Sequence, residues 1–200
     1  MATGNKVQPR LGIVIASTRE GRSGQAVADW FTGVARAHGG FEIEVIDLKA
    51  VDLPILEERH HPRFAKYEQP GTIAWSRTVA ALDAFVFVTP EYNHSAPPAL
   101  VNALDHLFNE WHYKPVGFVS YAGISAGLRS VAAAKPIVNA LKMVPINEGV
   151  PIPFFAQLID KETGKFTGGE ANEKAATVML DELVRWEAAL RTLRPSPAGA

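Results

Sequence analysis

Short apolar runs recur along this chain, and a stretch with helical character follows each of them. LGIVIAS (11–17) and AFVFVT (84–89) read as buried strands, and KPVGFVSY (114–121) supplies another. FEIEVIDL (41–48) alternates apolar and polar residues, as a strand nearer an edge does. MVPINEG (143–149) is a short fifth strand between proline-rich loops. Helices are expected at 25–38, 71–82, from Pro98 to before His112, at 128–141 and at 172–194. In the first, Ala26, Trp30, Val34 and Ala37 form an apolar stripe; the last carries Ala176, Met179, Leu183, Trp186 and Leu190. Pro136 lies inside the fourth, where it removes a backbone donor and predicts a kink or an interruption. Residues 49–70 make the longest irregular segment.

Strand–helix alternation of this kind predicts an α/β fold, a mostly parallel sheet with helices on both faces. Five strands favour a flavodoxin-like three-layer sandwich with strand order 2-1-3-4-5, although periodicity alone does not fix the order. Right-handed crossovers bring the loops after successive strands to one sheet edge, where open α/β sheets take ligands. Two hundred residues suit one domain, which can bury about 70% of the unfolded chain's surface. The ends, near 1–9 and 195–200, are expected to be flexible.

Several functions are excluded or disfavoured. The chain has no cysteine, which removes disulfides, cysteine-held iron–sulfur clusters and thiolate nucleophiles. A formal charge of −1 with scattered basic residues gives no nucleic-acid footprint. It also disfavours a strongly acidic electron carrier. No apolar run approaches the roughly 18 residues of a membrane span, and MATGNKVQPR lacks a signal peptide's apolar core, so a cytoplasmic protein is expected.

Three loops share the expected ligand edge. STREGRSG offers the hydroxyls of Ser17, Thr18 and Ser23, the cations Arg19 and Arg22, and turning glycines ahead of a helix start. Such a loop suits a phosphate, although it matches neither GxxxxGK[ST] nor GxGxxG, and a polar connector capped by Ser23 reads equally well. In PEYNHSAPP, Pro90 restrains the chain while Glu91, Tyr92 and Asn93 offer an acceptor, a flat edge and an amide. A rigid turn of this kind can read a planar heterocycle, or simply start the next helix near Pro98. SYAGISAG permits close approach, with Tyr121 beside a ring and Ser120 as a local donor; the plainer reading is a glycine-containing loop capped by Ser125.

Other chemistry is weaker. His60 and His61 suit an exposed loop better than a metal, and His94, His106 and His112 lack metal-ligand spacing. No GxSxG elbow accompanies a serine nucleophile.

Taken together, STREGRSG, PEYNHSAPPALVNALD and SYAGISAG resemble the NADPH-dependent FMN reductase family, over about residues 10–190. That family contains flavodoxin-like quinone, chromate and azo-dye reductases. The resemblance implies FMN as bound cofactor and NADPH or NADH as donor. It places Ser17, Arg19, Arg22, Ser23, Gly24 and Gln25 around the FMN phosphate. Pro90, Glu91, Tyr92 and Asn93 would contact the isoalloxazine, largely through backbone, and Ser120, Tyr121 and Gly123 would close the site. Ala122 and Ala126 stand where glycines are frequent. No acid–base catalytic residue and no metal are implied. A small-molecule acceptor and a homodimer, or a tetramer, are expected, with the segment holding Leu104, Leu107, Phe108 and Trp111 either contributing to the dimer or packing on the sheet. A flavodoxin-like carrier without nicotinamide turnover is the alternative.

Overall fold

Every apolar run forms a strand: β1 (Arg10–Ile15), β2 (Glu42–Asp47), β3 (Ala84–Pro90), β4 (Pro115–Tyr121) and β5 (Val144–Ile152). They pair in parallel in the order β2-β1-β3-β4-β5. The computed structural model describes residues 8–194, so the ends expected to fray at 1–7 and 195–200 lie outside the described residues. Gln8 and Pro9 lie within them; the Gln8 amide donates to the Gly39 carbonyl at 2.7 Å, and Pro9 O accepts from Glu42 N–H at 2.9 Å.

Alternation along the strands builds two cores. Val86 and Val88 of β3 face α1 (Gly24–His38) and α6 (Glu170–Leu190), together with Ile13, Ile15 and Val119. Phe85 and Phe87 face the other way, toward α3 (Pro70–Ala80), α4 (Pro98–Asp105) and α5 (Leu128–Ala140). Parallel strands covered on both faces need continuous apolar sequence, which is why AFVFVTP is buried throughout. The edge strand β2, by contrast, is fully buried only at Ile46 and leaves Glu42 and Val45 exposed.

Some helical details differ from the sequence expectation. The buried face of α1 is Val27, Ala28, Phe31 and Ala35; the stripe Ala26, Trp30, Val34 and Ala37 lies to one side, with Ala37 exposed. Both stripes have helical spacing, and Phe31 wins because it fills the sheet-facing space. Trp186 is likewise turned out of the α6 core, where Leu180 and Glu187 are buried instead. Pro136 does not interrupt α5, which runs on to Ala140. Its freed acceptor, the carbonyl of Ala132 one turn earlier, belongs to an exposed part of the helix that water can satisfy. The irregular 49–70 segment opens on the end of the four-residue helix α2 (Leu48–Val51) and contains a 3₁₀ turn at Pro62–Phe64. Asn102 and His106 pin it: Asn102 Nδ2 donates to Pro54 O at 2.8 Å, and His106 Nε2 lies 3.0 Å from the same carbonyl. Leu104, Leu107 and Trp111 are about 1% exposed within the second core, and the half-buried Phe108 packs against it.

Candidate active site

The loop after β1 is braced from below. Arg22 donates to Ser17 O and to Asp47 Oδ1, each at 2.7 Å, and also pairs with Asp47 Oδ2. Three of its five donors are thus committed to a strut between this loop and the end of β2. Arg19 is exposed and stands 5.8 Å from the centre of the Tyr92 ring. Ser23 holds the N-cap position of α1 but makes no capping bond, and no acidic residue lies in the first turn. The first N–H groups of α1 are therefore left without a side-chain acceptor, as at sites that receive an anion. Gly24 is buried against Tyr121: a methyl group there would come within 2.6 Å of the phenol oxygen.

After β3 the chain makes a tight two-residue turn. Tyr92 and Ser95 exchange backbone bonds of 3.0 and 2.9 Å, and Asn93 and His94 between them have φ of 49° and 65°. Two consecutive left-handed residues match a type I′ turn, and asparagine tolerates that region well. The Glu91 carboxylate points away into the protein, its side chain 5% exposed, where it accepts from Arg129 Nε at 2.6 Å and Arg129 N–H at 3.2 Å. Burial pushes this carboxyl up, but bonds from Arg129 and Ser125 outweigh it and hold it below the ordinary value. Two residues earlier, Thr89 and Ser130 hydroxyls meet at 3.0 Å. The first turn of α5 thereby latches the turn in place. On the other side, Tyr92 OH reaches Ser17 Oγ at 2.5 Å and joins the two loops.

The loop after β4 closes on itself through Ser120, whose hydroxyl donates to Ala126 O at 2.8 Å. Ala126 has φ of 53°, so an alanine occupies a left-handed position that favours glycine. Tyr121 packs its ring 5.0 Å from Phe155, and burial followed by the neighbouring Tyr92 raises its phenol well above the usual range. Phe154 and Phe155 are held by N–H bonds to Gly123 O (3.0 Å) and Ala122 O (3.3 Å).

These loops enclose a cavity of about 260 Å³. Of the residues expected at a site, Ser17, Arg19, Arg22, Ser23, Pro90, Glu91, Tyr92, Tyr121 and Gly123 line it. Gly24 lies beneath it, Asn93 at the turn, and Ser120 is withdrawn into the loop bond. Gln25 faces elsewhere, bonded to Asp29 at 2.9 Å. Gly21 and Ala122, within loops the sequence singled out, also line the wall; sequence reasoning missed Phe155, although it follows the fifth strand at the same edge. It also missed Arg129 and Asp47. Among the described residues no three histidines or carboxylates gather as a metal site, and no helix is long and apolar enough to cross a membrane. His61 Nδ1 accepts from Arg63 N–H and His106 Nδ1 meets Thr72 Oγ1, both structural bonds.

Comparison with known proteins bears on the same residues. An NAD(P)H-dependent FMN reductase of Schizosaccharomyces pombe is 36% identical over 140 residues, 69% of this chain and 70% of that protein. Its counterpart in Saccharomyces cerevisiae is 42% identical over 108 residues, 51% of this chain and 56% of that protein. In fold, the chain is similar to the flavoenzyme FerB, an NAD(P)H:(acceptor) oxidoreductase from Paracoccus denitrificans, with a TM-score of 0.72 at 21% identity over 90% of this chain and 98% of that one. Residues 9–157, which carry all three loops, match the family described as NADPH-dependent FMN reductase, and with an uncapped helix start, a rigid strand-end turn and the expected strand order in place, the chain belongs to that family.

Proposed function

We propose that this protein binds FMN at the carboxyl edge of its sheet and passes electrons from NADPH or NADH to quinones or related small acceptors such as chromate and azo compounds. The observation that carries this reading is one cavity uniting the loops after β1, β3 and β4 beside the uncapped start of α1. The residues present fit the cofactor. Ser17, Ser23, Arg19 and the first α1 amides suit its phosphate, with Arg22 acting as the strut that shapes their loop. The backbone of Pro90–Asn93 suits the edge of the ring system, with Tyr121 and Gly123 opposite. When bound, FMN supplies the two-electron chemistry that no side chain of this protein can perform. The chain's own contribution is to orient the ring, to direct backbone donors at the side where negative charge grows, and to leave one face open for planar reactants.

At about 260 Å³ the cavity falls below the roughly 300–1,000 Å³ of pockets that bury a whole ligand. Ile124 and Phe154 stand next in sequence to the lining residues Gly123 and Phe155, Leu128 directly follows the same loop as Ile124, and the three are 83%, 49% and 55% exposed. A second copy seated on this apolar rim would complete the enclosure, so we assign the homodimer contact here. A reducing cytoplasm suits this chemistry. The test is steady-state oxidation of NADPH by FMN-loaded protein with a benzoquinone as acceptor. Turnover well above that of free FMN is expected; a rate equal to free FMN would overturn the reading and favour a carrier without nicotinamide turnover.

A further inference from the structure

A second, larger hollow adjoins the flavin cavity and has no part in the function above. It measures about 650 Å³ and lies between the outer side of α1 and the segment that follows β5. Arg22 lines both spaces, so the hollow begins where the phosphate loop ends. Gln25, Asp29 and Trp30 form one wall, and Lys165 and Phe166 the other.

The second wall is a built element. Ile159 and Phe166 pair as a short antiparallel bridge, and Asp160 N–H bonds to Lys165 O at 2.9 Å. Asp160 Oδ1 accepts from Glu162 N–H, Thr163 N–H and the Thr163 hydroxyl at 2.7–3.0 Å, which fixes the turn that presents Lys165. Trp30 stands edge-on to Phe166 with ring centres 5.2 Å apart. Gly168 lets the returning chain press against the indole; a methyl group there would approach the indole nitrogen to 2.3 Å. The result is a fixed aromatic wall beside an exposed ammonium that has no ion-pair partner among the described residues. Asp29 adds a carboxylate able to accept from sugar hydroxyls, and Gln25 an amide.

Aromatic wall, cation and hydroxyl acceptor in one hollow match a purine nucleotide. We propose that the adenosine phosphate end of the NAD(P)H donor rests in this hollow, with its pyrophosphate passing Arg22 toward the flavin cavity. This inference rests on the reductase reading, and the dihydronicotinamide end is the part that reaches the flavin.

The experiment compares two donors on FMN-loaded protein: NADPH, and reduced nicotinamide mononucleotide, which lacks the adenosine half. Lys165→Glu, on an exposed turn, and Trp30→Leu, which keeps apolar volume without a flat ring, are the variants. Each should raise the KM for NADPH about tenfold, equivalent to about 1.4 kcal/mol, while flavin reduction by reduced nicotinamide mononucleotide stays unchanged. Calorimetry with adenosine 2′,5′-bisphosphate should show binding to the parent protein and its loss in Lys165→Glu. Unchanged NADPH kinetics in Lys165→Glu together with no calorimetric binding to the parent would overturn the assignment. Failure of the parent to be reduced by either donor would instead refute the reductase reading.

Discussion

At the scale of single residues, the site is a set of side chains whose partners lie far away in sequence. Glu91 looks like a free acceptor in PEYN, yet its carboxylate is spent on Arg129, 38 residues on. Tyr92 looks like a flat edge, yet its hydroxyl is bound to Ser17, 75 residues back. Side-chain types and loop positions were legible in the sequence; these pairings were not, because only the folded sheet edge brings them together. Truncating Arg19 to alanine is expected to weaken FMN binding about tenfold, roughly the value of one charge-assisted contact to phosphate. Flavin fluorescence titration checks this, and an unchanged Kd would remove Arg19 from the site. Arg129→Ala should release the turn and weaken FMN a few-fold, about 1 kcal/mol for a half-exposed pair, with partial rescue by Arg129→Lys. The sign with pH follows from the lowered Glu91 carboxyl: the latch is complete above the ordinary value of 4.5 and is lost as the pH falls through the depressed one. Ala126→Gly relieves a left-handed alanine and should raise stability by up to about 1 kcal/mol in denaturant unfolding.

At the scale of elements, strands and helices were legible where periodicity was strong, and phase was the weaker signal. The α1 stripe through Trp30 and the one through Phe31 are nearly equal in apolar content, so sequence alone does not choose the face. The wall that makes Trp30 useful comes from residues 158–167, which have no helical or strand period to announce them. Between elements, Lys114 is the least expected link. It enters β4 buried at 5% exposure, with Nζ donating to Val79 O at 2.7 Å at the end of α3. Carbonyls at a helix end favour a cation there, but burial dominates and, with Arg194 nearby, lowers the ammonium to about 7. The unfolded chain keeps that proton until about 10.5, so between the two values it binds more protons than the folded state and stability rises with pH. Lys114→Met should flatten this rise and gain most near pH 6. Urea unfolding at pH 6.5 and 9 checks it, and parallel pH dependence in parent and variant would contradict it.

At the scale of the whole molecule, one parallel sheet separates two apolar cores and gathers its functional loops at a single edge. The opposite end is tied by charges: Arg194 bridges Asp83 and Glu187, and Asp83 also accepts from Arg10 N–H at 2.8 Å. The chain end of α6 is thereby fastened to the first strand, away from the site. The apolar rim of Ile124, Leu128 and Phe154 predicts that Ile124→Glu shifts the assembly toward monomer in sedimentation and weakens retained FMN; an unchanged assembly would place the contact elsewhere. The central claim, that this edge holds an FMN reducible by a nicotinamide donor, is tested most directly by anaerobic mixing. FMN-loaded protein is mixed with NADPH, and separately with NADH, while the oxidised flavin absorbance is followed. Rapid bleaching with at least one donor is the predicted result, and flavin that stays oxidised with both would contradict the account.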